Sequence, residues 1–444
     1  MAWGLLYYHY VILFRVTSSG VSFRPVPEDD EKPMDFQRRA KPLAIGLTWL
    51  TMALVFMIRY AMAAVAPVLI RDYGISPGEI GYVLSAWSWA YVAFYLAGGP
   101  MVDRYGPWAT VTIGSIVWGL ATLCLPLAEG IPWLFSTRLL FGLATIMTVP
   151  ACTVTIARWF TARERTRAVA LVFSGNQVGL AVGAAVTAYL LAEFGWESVF
   201  YCLGIASLLF TILWARFYPE RQVGSASQPG NTSTESWSEL LRRRFTWGIA
   251  LGQVGYLYGF YFFFTWLPGY LILERKMTIL ESGAVGSLPF LAGILGTLGG
   301  GWLGDSLIRR GLTPTFSRKA IIGTGLTTAT ICMVSAALAA QTWVSVTMLI
   351  VCMGSLRLAT GSVNALPIDL APPSLVGSLA SIQNFLGNLA GVLAPIITGL
   401  IVASTGSFVG AMVVAGAMTT LGAFSYLFIL GSVSGEALSP VSES

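Results

Sequence analysis

Three arginines interrupt apolar stretches of the sequence and are the residues best suited to chemistry. Arg59, Arg138 and Arg357 each stand inside such a stretch, and no Asp or Glu lies in the middle of any of them. A charged side chain at the centre of a membrane costs at least ~2.5–3.5 kcal/mol, so it usually faces a water-filled pathway or a partner. Guanidinium groups without a protein partner suit an anion, and the planar fork of arginine binds both oxygens of a carboxylate. The sequence therefore predicts a carboxylate site.

Two of these arginines also have a structural interpretation. Arg138 is close enough to the end of its stretch to reach the membrane interface with its long side chain. Arg357 lies deeper, but helix carbonyl groups or water could satisfy it. Both interpretations stay open at the level of sequence.

Amide side chains form a second candidate set. Asn176 and Gln177 interrupt one apolar stretch, and Gln383, Asn384 and Asn388 interrupt another. Asn384 and Asn388 are one helical turn apart and share a face. Buried amides in a membrane either bridge helices or hydrogen-bond to a polar ligand. With the arginines, they favour a hydroxylated acid such as an aldonate, aldarate or uronate.

A third set is aromatic and precedes Pro268. Its members are Tyr256, Tyr258, Tyr261, Phe262 and Trp266. These rings could wall a solute cavity, although an interfacial belt or plain packing explains any one of them as well. An aromatic carboxylate such as phthalate is therefore an alternative ligand, and a carrier of aromatic acids or dicarboxylates that works as an anion exchanger or uniporter is the alternative function.

Apolar stretches recur along the whole chain of 444 residues. It is 55% hydrophobic and 11% charged, with a mean hydropathy of +0.72, whereas roughly a quarter of residues are charged in soluble domains. We predict an all-α membrane protein with twelve spans, each long enough to cross a hydrocarbon core of ~30 Å. The spans are 43–70, 79–102, 108–128, 132–157, 168–192, 196–217, 245–273, 280–304, 319–340, 343–366, 374–403 and 407–432.

A signature that occurs twice indicates an internal duplication. Gly98–Gly106 reads GGPMVDRYG and Gly299–Asp305 reads GGGWLGD, and each copy follows the second predicted span of its half. Two six-helix halves in tandem are the layout of a secondary transporter. The predicted parts are an N-terminal segment 1–42, the halves 43–217 and 245–432, a linker 218–244 and a tail 433–444.

Positive charge predicts the orientation in the membrane. Of the 26 Lys and Arg residues, 20 fall in the N-terminal segment and the loops of one side, and only Arg71, Arg275 and Lys276 fall on the other. Cationic loops are retained in the cytoplasm, so both termini are expected there, in a multi-pass and monomeric cell-membrane protein. The net charge of +5 thus reflects topology and does not indicate a nucleic-acid partner.

Motifs of enzymes are missing from the sequence. The single histidine, His9, lies outside the spans, all five cysteines fall inside them, and there is no Gly-x-Ser-x-Gly motif. We expect no enzyme activity, no cofactor, no metal site and no disulfide framework. A membrane receptor without transport activity is the alternative of a different class.

The repeated signature resembles the loop between the second and third helices of the major facilitator superfamily. By this resemblance, Gly99 and Gly106 allow tight packing of helix and loop. Asp103 and Arg104 would join a charge network that biases the outward-open state, and Asp305 is the counterpart of Asp103 in the second half.

Four further stretches resemble one branch of that family, the anion:cation symporters. They are Ser88–Tyr91; Pro150–Cys152 with Arg158–Phe160 and Arg163–Arg165; Phe262–Pro268; and Gln383–Gly391. The branch contains bacterial permeases for glucarate, galactonate and hexuronates, and animal carriers of phosphate, glutamate and sialic acid. The resemblance implies a secondary active or facilitative transporter of small organic anions, most of all sugar acids, that works by alternating access.

The resemblance also assigns roles to residues. Arg59 and Arg138 match the first- and fourth-helix arginines of the family, Asn176 falls where relatives often have a substrate-binding Gln, and Asn388 matches a family asparagine. The predicted substrate-binding residues are Arg59, Arg138, Arg357, Asn176, Gln177, Tyr91, Tyr258, Gln383, Asn384 and Asn388.

Two departures from the family bear on coupling. Ile58 stands where relatives commonly have an acidic residue before the first-helix arginine, and Thr145 stands where they commonly have a Glu. Those carboxylates are the usual proton carriers of the branch. The sequence therefore favours facilitated diffusion, anion exchange or symport with a cation such as sodium, and proton symport is the alternative.

Overall fold

A computed structural model describes residues 33–219, 237–371 and 375–431. Most of the predicted N-terminal segment and linker, and all of the predicted tail, lie outside the described residues. The described chain is built from helices joined by short turns.

The helices follow the predicted spans closely. The first half contains α1 (Pro33–Tyr73), α2 (Pro77–Cys124), α3 (Ile131–Thr145), α4 (Thr148–Trp159), α5 (Ala162–Phe194) and α6 (Trp196–Phe217). A short helix, α7 (Trp237–Arg242), lies in the predicted linker. The second half contains α8 (Arg244–Gly269), α9 (Ile279–Arg309), α10 (Pro314–Leu338), α11 (Thr342–Leu358), α12 (Thr360–Leu370), α13 (Val376–Thr405) and α14 (Val409–Phe424). A π-helical turn extends α8 over Tyr270–Glu274 and another extends α14 over Ser425–Ile429.

The predicted fold class is confirmed. Eleven segments of the described chain are long and apolar enough to cross a membrane. The part of α2 from Pro77 to Gly106 corresponds to the predicted span 79–102 and completes the set of twelve. The chain is therefore a multi-pass membrane protein.

Gly106 divides α2 into two traverses. The helix has 48 residues, so it would be ~72 Å long if straight, more than twice the thickness of a hydrocarbon core. Gly106 has φ +78° and ψ 162°, a conformation that breaks the helix and that glycine adopts without the steric cost of a side chain. The second and third predicted spans thus meet at this residue.

The two halves begin their second traverses in the same way. At the start of α2 the hydroxyl of Ser76 and the carboxylate of Glu79 form a capping box, and Thr278 and Glu281 form another at the start of α9. Both pairs are separated by 202 residues, which is also the separation of Asp103 and Asp305. The duplication that the loop signature indicates therefore also includes the N-terminal ends of α2 and α9.

Two helix pairs join the halves to each other. α2 packs against α13, and α5 packs against α9. Helices from both halves consequently surround the space between them.

Candidate functional site

A cavity of about 520 Å³ lies between helices of the two halves, within the usual size range of small-molecule sites. Seven of the ten predicted substrate-binding residues line it. They are Arg59, Tyr91, Asn176, Gln177, Arg357, Asn384 and Asn388. The structure thus brings together residues from five helices, α1, α2, α5, α11 and α13.

Arg59 is held by aromatic rings rather than by an acid. Its guanidinium carbon lies 3.4 Å from the ring centre of Trp87, 4.9 Å from that of Phe56 and 5.6 Å from that of Tyr91. The side chain is only 8% exposed, and its Nε is buried without a hydrogen-bond partner. Ring faces attract a cation but do not neutralise it. Arg59 therefore retains a full positive charge at the cavity wall.

Arg357 approaches the cavity from the second half. Its Nη1 donates to the hydroxyl of Tyr256 at 3.1 Å, and that hydroxyl lies 2.8 Å from Oγ1 of Thr360. Its guanidinium carbon is 5.1 Å from the ring centre of Phe260, and its Nε is buried without a partner. Among the described residues, neither a carboxylate nor a helix carbonyl accepts a hydrogen bond from Arg357. The interpretation that helix carbonyls satisfy it is therefore not supported by this arrangement.

The amides of α5 have unused hydrogen-bonding capacity. Oδ1 of Asn176 and both polar atoms of the Gln177 side chain are buried without a partner within the described chain. Leaving a buried polar group unpaired costs about 1–3 kcal/mol. Because both residues line the cavity, hydroxyl or carboxylate groups of a bound ligand could supply the missing partners.

The amides of α13 are partly committed to the protein. Oδ1 of Asn388 accepts from the hydroxyl of Tyr261 at 2.8 Å, and its Nδ2 donates to the carbonyl of Asn384 at 2.7 Å. Nδ2 of Asn384 donates to the carbonyl of Ala380 at 2.9 Å. Asn388 therefore links α13 to α8 at the cavity wall.

Three predicted substrate-binding residues do not line the cavity. Arg138 is 2% exposed and donates at 3.4 Å to each of two carbonyls of α1, those of Ile58 and Arg59. Gln383 donates to Oε1 of Gln253 at 3.3 Å, and Tyr258 is buried with an unpartnered hydroxyl. Substrate contact by these three residues stays a prediction. In this conformation Arg138 supports the backbone that carries Arg59.

Several polar residues of the cavity wall were not predicted from the sequence. They are Ser174, Gln253, Thr297, Thr360 and Asn364. Gln253 could have been found by the criterion used for the other amides, because it also interrupts an apolar stretch. Its Oε1 accepts from Tyr426 and Gln383, which makes it a junction of α8, α13 and the turn after α14.

The described wall of the cavity carries no acidic residue and no histidine. Ile58 and Thr145, at the positions where relatives have acids, are both buried and do not line it. The Thr145 hydroxyl donates to the carbonyl of Gly142 at 3.0 Å. Charge in the cavity is therefore positive.

The residues expected to control gating lie around the break in α2 and near the C-terminal end of α9, and none of them lines the described cavity wall. Asp103, Arg104 and Asp305 are exposed, and Gly106 forms the break in α2, which also contains Gly99. Neither Asp103 nor Asp305 forms an ion pair with another described residue. Their part in gating stays a prediction.

An ion pair lies near the second copy of the signature. Nε of Arg318, in α10, is 3.1 Å from Oδ2 of Asp369, in α12. Both side chains are less than one-third exposed. The pair ties together two helices of the second half at their ends.

The sequence of this chain matches a known protein family and several named relatives. A family model described as Major Facilitator Superfamily matches residues 48–395. The chain is 32% identical to a probable galactarate/D-glucarate transporter of Bacillus subtilis (strain 168), over 82% of this chain and 86% of the relative. It is 28% identical to the D-galactonate transporter of Escherichia coli O6:H1, over 92% and 99%, and 28% identical to a hexuronate transporter of Bacillus subtilis, over 87% and 95%.

A solved structure has a similar fold. It is that of a bacterial homologue of the human lysosomal transporter Spinster, with a TM-score of 0.75 over 88% of this chain and 97% of that chain. The two sequences are 16% identical, so the likeness concerns the fold alone.

Proposed function

Because the chain belongs to the major facilitator superfamily, we propose that it carries small hydroxylated carboxylates of the sugar-acid class across a membrane. One observation carries the proposal. Arg59 and Arg357 line a cavity whose described wall has no acidic residue. An anion would supply the missing negative charge. The relatives named as transporters of galactarate, glucarate, galactonate and hexuronate support the same class of ligand.

The amides and rings define the rest of the proposed site. A carboxylate would bind to Arg59, and Asn176 and Gln177 would bond to the hydroxyl groups of the carbon chain. The faces of Phe264 and Tyr261 line the cavity and would contact the C–H faces of the chain. A neutral sugar could use the amides but would leave Arg59 without a partner.

Transport would proceed by alternating access. The halves 43–217 and 245–432 would rock about the cavity, as inverted and tandem repeats do in secondary transporters. The loop signatures around Asp103 and Asp305 would control access from one side. We further propose an inner-membrane location with both termini in the cytoplasm, which the distribution of Lys and Arg supports.

Proton coupling is not part of the proposal. A proton-coupled carrier needs a group in its pathway that exchanges a proton during the cycle, usually a carboxylate or histidine. The described cavity wall has neither. Facilitated diffusion, anion exchange or symport with another cation agrees better with this wall.

Thermal unfolding in detergent tests the proposed class of ligand. A ligand that binds only the folded state raises its stability by about 2.7 kcal/mol at a concentration of 100 Kd. Galactarate, galactonate or glucuronate should raise the unfolding temperature of the wild type, and the neutral polyol galactitol should not. The shift should shrink in Arg59→Lys, which keeps the charge and loses the fork. An equal shift with galactitol would refute the proposal.

A further inference from the structure

The two cavity arginines lie at either end of one aromatic wall. The guanidinium of Arg59 stacks on Trp87, whose ring centre is 6.2 Å from that of Phe264. Phe264 stacks on Phe260, with centres 6.2 Å apart and planes inclined by 14°, and Phe260 is the ring beneath Arg357. The first half thus presents one guanidinium at one end of the wall, and the second half presents another at the other end.

We propose that Arg357 is a second carboxylate-binding residue and that the preferred substrate is a hydroxylated dicarboxylate, held by one carboxylate at each arginine. The inference rests on the proposed function and narrows its substrate class. A monocarboxylate would neutralise one guanidinium and leave the other without a counter-charge at the cavity wall, whereas a dicarboxylate neutralises both.

The hydrogen bonds of Arg357 leave one edge of its guanidinium, formed by Nε and Nη2, without a partner in the described chain. Tyr256 occupies Nη1, and Thr360 bonds to the Tyr256 hydroxyl in turn, so that side of the guanidinium is fixed by the protein. Nε is buried without a partner, and Nη2 makes no hydrogen bond with the described chain. The Nε and Nη2 edge is the pair of donors that binds both oxygens of a carboxylate.

The amide of Gln177 lies close to the aliphatic part of the Arg357 side chain, next to Gly293. A Cβ atom at Gly293 would be 2.6 Å from Nε2 of Gln177 and 3.2 Å from Cγ of Arg357, so both side chains use the space left by the glycine. Gln177 comes from the first half and Arg357 from the second. A carboxylate bound to Arg357 would therefore also be within reach of an unpartnered amide of the opposite half.

Two pairs of sugar acids allow the contribution of a second carboxylate to binding to be measured. Galactarate and galactonate differ only in whether the sixth carbon is a carboxylate or a hydroxymethyl group, and glucarate and gluconate differ in the same way. Dissociation constants are measured by isothermal titration calorimetry on the full-length protein in detergent. The wild type should bind the dicarboxylate of at least one pair ten-fold or more tightly than its monocarboxylate partner.

Arg357→Gln should abolish this preference. Binding of the dicarboxylate should weaken at least ten-fold, and binding of the monocarboxylate should change less than three-fold because Arg59 is intact. Arg309→Gln is the matched control, since Arg309 is exposed at the end of α9 and outside the cavity wall. This control should keep the preference of the wild type.

Several results would overturn the inference. Equal or tighter binding of both monocarboxylates by the wild type would do so without any variant, even if Arg357→Gln fails to fold. Equal weakening of both acids by Arg357→Gln would assign Arg357 a structural role. In both cases a carboxylate still binds, so the proposed function would stand. If none of the four acids binds to the folded wild type, the proposed function fails together with the inference.

Discussion

The guanidinium carbon of Arg59 lies 3.4 Å from the centre of the Trp87 ring, closer than to any other described aromatic ring. Arg59 belongs to α1 and Trp87 to α2, so the contact orients the charge on one helix by a ring on another. Trp87 is 1% exposed and does not itself line the cavity. It therefore acts on a ligand indirectly, through Arg59 and through the cavity-lining rings of Tyr91, Tyr261 and Phe264 that it contacts.

Replacing Trp87 tests this positioning. Trp87→Leu should weaken carboxylate binding about 2- to 30-fold, because a cation–π contact contributes ~0.5–2 kcal/mol and ten-fold in affinity is ~1.4 kcal/mol. Trp118→Leu is the control, since Trp118 is an equally buried residue of α2 away from the cavity wall. Calorimetry on folded protein measures both. Equal losses in the two variants would show that Trp87 only fills space.

Arg59 and Arg138 should respond differently to the same change. Arg59→Lys should weaken carboxylate binding ten-fold or more, because lysine keeps the charge but cannot bind two oxygens as a planar fork. Arg138→Lys should lower the transport rate more than the affinity, because Arg138 contacts the carbonyls of Ile58 and Arg59 and lies outside the cavity wall. A loss of affinity in Arg138→Lys as large as in Arg59→Lys would instead indicate direct substrate contact.

Gly106 should be intolerant of a side chain. An alanine held in this conformation, which is essentially restricted to glycine, costs about 1–3 kcal/mol, so Gly106→Ala should lower the unfolding temperature and slow uptake. Gly46 is the control, because a Cβ there would meet nothing within 4 Å and α1 continues through it. Gly46→Ala should be neutral or stabilising. Equal tolerance at both positions would show that the break in α2 does not depend on glycine.

An imposed proton gradient should not drive accumulation. With the membrane potential clamped at zero, liposomes containing the protein should equilibrate a sugar acid at every pH tested, because the described cavity wall carries neither acid nor histidine. Thr145→Glu, at the position where relatives have an acid, should make uptake more dependent on pH. Accumulation by the wild type that a protonophore abolishes would contradict this account.

Sequence alone predicts the helices, both arginines of the described cavity wall and four of its six amide residues. Arginines and amides in apolar stretches are rare and costly in a membrane, so Arg59, Arg357, Asn176 and Gln177 could be singled out by type and depth. Depth does not reveal which way a side chain points around its helix. Arg138 lies at a depth that suits substrate binding, but its guanidinium points to the backbone of α1 and donates to two carbonyls there.

Other features depend on partners that are distant in sequence. The stack of Arg59 on Trp87, and the use of Tyr256 by Arg357, arise only when α1 meets α2 and α8 meets α11. Trp87 reads as an ordinary apolar residue in the sequence. The breaks between α3 and α4 and between α11 and α12 were likewise unpredicted, since nothing in the apolar pattern interrupts the fourth and tenth spans there.

Uptake by liposomes would show whether the protein selects anions for transport. Purified protein is reconstituted, and the entry of labelled galactarate and galactonate is compared with that of labelled galactitol, a neutral polyol of the same carbon number. The account predicts saturable uptake of at least one of the acids, strongly reduced in Arg59→Lys, with galactitol entering no faster than in protein-free liposomes. Saturable uptake of galactitol at the same rate as the acids would contradict the claim that the arginine-lined cavity selects an anion.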